Sequence, residues 1–259
     1  MDLLIAVPLG FVLGFFIGLT GVGGGALVAP ALYVILGLSY GEAVGLSLVY
    51  ALLTKVMGAA QHIRQGTVLW RVTLWYGLAG VPGALAGSYA VYLASPAMRR
   101  LFPMVMAGVL LLVSGLLLAE ATIRGAAARQ QPFSPHMIGA PEALAIVAVQ
   151  LVVGPLLGLT SVGAGSIVIL SMLFLFRMSA REVVGSNIVI ALIMVIPAGV
   201  THYAAAGVDW RLLGALLLGS VGGTVLGSRA TLMVPERTLK LAIVALIVAG
   251  AVATILKAS

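Results

Sequence analysis

Three stretches of this chain, residues 104–119, 143–159 and 239–256, contain a single charged residue between them, Lys240. Each approaches the roughly 20 residues that an α-helix needs to cross about 30 Å of hydrocarbon. A water-soluble globule would need a polar shell to cover such runs, and about 25% of a soluble domain is charged. Here only 8% is charged, against 62% hydrophobic. The chain therefore reads as an all-α polytopic membrane protein. A transmembrane β-barrel would alternate polar and apolar residues along each strand, and these runs do not alternate.

The second constraint is a duplication. Residues 14–90 and 154–230 align without gaps, pairing Gly14 with Gly154, and roughly three positions in ten are identical. Each copy opens on a glycine-rich phrase, Gly18-Leu19-Thr20-Gly21-Val22-Gly23-Gly24-Gly25 and Gly158-Leu159-Thr160-Ser161-Val162-Gly163-Ala164-Gly165. Each half then divides at glycine, proline or charge into five apolar pieces: 3–19, 26–36, 42–62, 70–93 and 98–119, then 142–159, 166–176, 182–202, 210–234 and 236–256. The second piece of each half, about eleven residues at about 1.5 Å each, reaches only about half the hydrocarbon thickness. It pairs with the first as a short helical hairpin or re-entrant element with the glycine phrase near its tip. Irregular backbone at that depth requires surrounding protein or a water-filled cavity.

A hairpin plus about three full transmembrane helices gives each half an odd number of crossings. Two such copies are expected as inverted-topology repeats, the construction of many alternating-access carriers. The expected division is 1–119 for the first repeat, 120–141 for a polar cytoplasmic linker and 142–259 for the second repeat. The residues after Met1-Asp2 show no basic leader or small-residue cleavage site, so 3–19 is expected to be a retained segment.

A net charge of +7 would point to nucleic acid in a soluble protein. Here most of the basic residues sit in short loops, where they set topology. Arg64, Arg71, Arg124, Arg129, Arg177, Arg181, Arg229, Arg237 and Lys240 fall on one side, and Arg99, Arg100, Arg211 and Lys257 on the other. The richer side is expected in the cytoplasm, leaving both termini outside. Trp70, Trp75 and Trp210 near piece ends fit interfacial anchoring. The absence of cysteine excludes disulfides and thiol chemistry. There is no GxxxxGK[ST] phrase, metal-ligand cluster or nucleophile–base grouping, so no cofactor, metal site or enzyme activity is expected.

A glycine phrase that opens a helix can present free backbone N–H groups to an anion at the positive end of the helix dipole. The candidates are Thr20, Gly21, Gly23, Gly24 and Gly25 in the first copy, and Thr160, Ser161, Gly163, Gly165 and Ser166 in the second. The competing reading is close helix packing through small residues. Ser47 and Asn187 are the matched polar positions inside the third pieces. Lys55 is the one basic residue well inside a span; it either marks the pathway or snorkels to the surface. His62 and His202 match across the repeat as coupling or gating candidates, with simple interfacial hydrogen bonding as the alternative. Glu42 and Glu182, at helix starts, read as capping residues.

These residues resemble one family. Gly14-x-x-x-Gly18-Leu19-Thr20-Gly21-Val22-Gly23-Gly24-Gly25, Pro30, the Glu42 to Ser47 phrase, His62, Gly66 and the small-residue stretch from Gly80 to Gly87 are similar to the TauE/SafE family, also called the sulfite exporter or toluene-sulfonate uptake permease family. The resemblance spans nearly the whole chain and both repeats. It implies a secondary transporter in the bacterial cytoplasmic membrane that moves sulfite, sulfonates, sulfoacetate or thiosulfate, coupled to protons; a monomer or homodimer is expected. The alternatives are an uncoupled anion channel using the same donors and a noncatalytic membrane assembly subunit.

Overall fold

The computed structural model describes residues 2–20, 25–127, 138–162, 165–176, 178–230 and 236–258. These residues form eleven helices and no strand. The first half contributes α1 (Asp2–Thr20), α2 (Gly25–Val34), α3 (Tyr40–Arg64), α4 (Trp70–Leu93), the single turn α5 (Pro96–Arg99) and α6 (Phe102–Ala127). The second contributes α7 (Ala140–Thr160), α8 (Ser166–Phe176), α9 (Ala180–Ala206), α10 (Trp210–Ala230) and α11 (Glu236–Ala258). Six spans within α3, α5–α6, α7, α9, α10 and α11 are long and apolar enough to cross a membrane. α4 has the length, but its glycines and polar residues make it less apolar.

Local chemistry sets the boundaries. Ser39 and Ser179 each accept from the N–H of the glutamate three residues on, and Glu42 and Glu182 accept from the serine N–H at 2.9 Å. These matched capping boxes start α3 and α9 and satisfy backbone donors that the helix leaves orphaned. Between the halves, α6 continues to Ala127 and α7 begins at Ala140, so helix extends into both ends of 120–141. Residues 120–127 include good helix formers such as alanine, glutamate and arginine.

Neither half packs by itself. One apolar core joins α1, α2, α6 and the start of α3 to α10 and α11. The other joins α4 and two residues of α3, Val44 and Leu48, to α7, α8 and α9. The closest crossings are made through small residues. Gly10, Gly14 and Gly18 of α1 lie against the backbone of Leu216, Ser220 and Thr224, so α1 and α10 run parallel. Gly154 and Gly158 of α7 lie in the same way against Gly80 and Ala84, so α7 and α4 run parallel. A Cβ on Gly154 would sit 2.7 Å from the Gly80 carbonyl oxygen and 3.0 Å from Gly83 Cα. Hence only glycine allows this approach. In contrast, Gly45 faces His202 and Gly58 faces Ile188, so α3 and α9, the matched third pieces, run antiparallel.

Candidate functional site

The hairpin of α7 and α8 is fastened to α3 near its tip. Ser161, directly after α7, adopts the left-handed conformation at φ 61°, which L-residues other than glycine adopt at a cost. The first copy has Gly21 at this position. Ser47 Oγ donates to Ser161 Oγ at 2.6 Å, and Tyr40 OH donates to the Leu159 carbonyl at 2.9 Å. Thr160 is fully buried, donates to the Leu156 carbonyl at 2.7 Å and accepts from Val162 N–H at 3.1 Å. Its hydroxyl therefore shapes the turn.

Ser47 lies seven residues into α3, so the tip sits about 10 Å below the start of that helix. α8 begins there with buried Ser166, and the first N–H groups of any α-helix lack intrahelical partners. A Cβ on Gly165 would meet no described residue within 4 Å, so among the described residues there is open space beside the tip. Hydroxyl groups and a helix N-terminus are thus brought together beside space open among the described residues, an arrangement chemically able to receive an anion.

The other candidates are placed apart from this tip. Thr20 closes α1 and Gly25 opens α2, while Gly21, Gly23, Gly24 and Gly163 lie outside the described residues. Asn187 is level with the Gly58 turn of α3, about 17 Å along the axis from Ser47. Its side-chain oxygen is buried without a partner. Lys55 lies between, about 12 Å from Ser47 along α3. It is half-buried, and among the described residues it has no ion-pair or hydrogen-bond partner.

The matched histidines differ. His202 is fully buried; its Nε2 donates to the Gly158 carbonyl at 3.0 Å and its Nδ1 pairs with Tyr92 OH at 2.8 Å. It thereby ties α9 to both α7 and α4. His62 is half-buried and bonds within its own turn, through Nδ1 to Thr67 Oγ1 at 2.9 Å.

Two structural participants escaped the sequence reading. Tyr92 gave no signal, because tyrosine near a helix end is ordinary. Gln150 did give one, as the single amide in an apolar run. It is fully buried in α7 with both polar atoms unpartnered. Leaving a buried amide unpaired costs roughly 2–7 kcal/mol.

Comparison with known proteins decides the family. The family model described as sulfite exporter TauE/SafE matches residues 6–254. The chain belongs to the TauE/SafE family. It is 33% identical over 225 residues to the probable membrane transporter protein YjnA of Bacillus subtilis, covering 86% of this chain and 87% of that protein. It is 25% identical to the probable membrane transporter protein YdhB of the same organism, covering 90% and 92%. A probable membrane transporter protein of Xylella fastidiosa is 25% identical, covering 88% and 84%. No solved structure matches. This member of the TauE/SafE family is a multi-pass membrane transporter.

Proposed function

We propose that this TauE/SafE protein is a secondary carrier for small sulfur-containing anions such as sulfite, sulfoacetate, other sulfonates or thiosulfate. The observation that carries the reading is the fastened hairpin tip, with Ser47, Ser161 and the start of α8 around open space. Neutral donors in a low-dielectric setting favour an anion without a buried full charge. Lys55, uncompensated farther along α3, supplies positive potential on the same path. Thr20, Gly21, Gly23, Gly24, Gly25 and Asn187 are the matched anion-binding candidates, the glycine phrase from the first repeat and Asn187 from the second. Thr160 acts by holding the second tip in shape, Gly163 remains a binding candidate from its sequence position, and His62 and His202 act at the gates.

The two halves are read as inverted repeats that rock against each other around the site, driven by protons. The antiparallel α3 and α9 support the inversion, because matched pieces of a parallel duplication would run the same way. The Arg64 side faces the cytoplasm and both termini lie outside. Purified protein in liposomes should take up labelled sulfite or sulfoacetate with saturation and acceleration by an imposed proton gradient. Uptake indifferent to both would leave an uncoupled channel as the better reading.

A further inference from the structure

Exchanging the two halves maps nearly every helix pairing onto another that is present. α1 with α10 maps onto α7 with α4, α2 with α11 onto α8 with α6, and α2 with α3 onto α8 with α9. Among the described residues, α7 meets α8 and α9 more extensively than its mate α1 meets α2 and α3, and one matched pairing is strongly unequal. α4 packs along α9 from Leu69, whose N–H donates to Ser186 Oγ at 3.0 Å, to Tyr92 at His202. Its mate α10 touches α3 only over a short stretch around the Tyr50 to Ser220 hydrogen bond.

The difference is visible residue by residue. On α9, Met194, Ala198 and His202 are fully buried. Their repeat mates on α3 are Thr54, Gly58 and His62, and all three are partly open. Ile193 packs on Gly77, whose Cβ would lie 3.1 Å from Ile193 Cβ, whereas its mate Leu53 is 41% exposed. One seam is closed, and among the described residues its mate is open toward the Arg64 end. Behind the closed seam sits Gln150. A Cβ on Gly80 would lie 2.7 Å from Met194 Sδ and 3.0 Å from Gln150 Oε1, which places the unpartnered amide against both gate helices.

Building on the carrier reading, we propose that the α4–α9 seam is the gate toward the Arg99 end, and that it hides Gln150, a second binding group about 16 Å along α7 from Ser161, whose amide donates to the anion as it passes once the seam parts. Opening the seam while α10 closes on α3 would exchange the two arrangements. The amide would then exchange an apolar seam for water or an anion oxygen. A buried polar group with no partner in one state is thereby explained by its partner in the other.

The chain has no cysteine, so introduced thiols report without background. In liposomes, Q150C should be modified by a membrane-impermeant thiol reagent from the Arg99 side, and L53C from the Arg64 side. Labelling of L53C with no labelling of Q150C, with or without sulfite, would overturn the proposal. The pair G77C and I193C should oxidise to a disulfide, since their Cβ separation is close to the required range of about 3.5–4.5 Å and the shortened Ile193 makes room. The crosslinked protein should lose uptake at least tenfold and regain it on reduction; unchanged uptake when crosslinked would overturn the gate. Where the reduced pair does not transport, the Q150C labelling decides. Labelling needs no correct substrate, so a labelled Q150C without sulfur-anion uptake would sink the substrate reading and leave the gate standing.

Discussion

Ser47 in the first half and Ser161 in the second are joined by a hydrogen bond of 2.6 Å, at a position where Ser161 holds a left-handed backbone. Backbone strain and side-chain bonding can be separated here. S161G relieves about 1 kcal/mol of strain and loses about 1 kcal/mol of hydrogen bond, leaving stability nearly unchanged. S161A loses the bond and keeps the strain, and should be less stable by about 1–2 kcal/mol. Thermal unfolding in detergent distinguishes them, and both should raise the KM for the transported anion.

K55M keeps the length of the side chain and removes its charge. The protein should fold, because among the described residues Lys55 has no partner to abandon. Initial uptake of sulfite should fall about tenfold or more, equivalent to about 1.4 kcal/mol. Uptake within twofold of the unaltered protein would show that the ammonium snorkels away from the path.

Gly154 and Gly14 occupy matched crossings. A valine at either would drive a Cβ into backbone, since at Gly14 it would lie 2.6 Å from Ser220 Cα. Each substitution should cost about 3 kcal/mol or more, through overpacking that flexible side chains cannot relieve. Size-exclusion chromatography should show aggregated or poorly expressed protein for both. G108V is the control, because a Cβ there meets nothing within 4 Å.

Tyr92 and His202 should be energetically coupled while His62 is not. Y92F leaves His202 Nδ1 buried without its partner, at a cost of about 1–3 kcal/mol. A double-mutant cycle with H202N should return a coupling of about 1 kcal/mol. H62N should change stability by less than about 0.5 kcal/mol, since that side chain bonds only within its own turn.

The ten long and short pieces were legible because apolar runs, capping glutamates and glycine breaks are local signals. α3 and α9 began where Ser39 and Ser179 with their glutamates required. Helix persisted beyond Ala119 because polarity does not itself end a helix when the residues are good helix formers. The second hairpin was legible from its glycine phrase and Ser47 as a polar position from the repeat match, but the contact between Ser47 and Ser161 was not. The separation of Ser47 from Asn187 was not, because it depends on the antiparallel register of α3 against α9. The unequal surroundings of His62 and His202 were equally hidden: identical residues at matched positions carry no record of which seam is closed.

Counterflow tests the carrier claim most directly. Liposomes containing the protein are loaded with unlabelled sulfoacetate or sulfite and diluted into a trace of the labelled anion. A carrier whose site faces one side at a time predicts transient accumulation of label above its equilibrium level, abolished by crosslinking the G77C and I193C pair. Label that rises only to equilibrium, at a rate linear in concentration, would contradict the account.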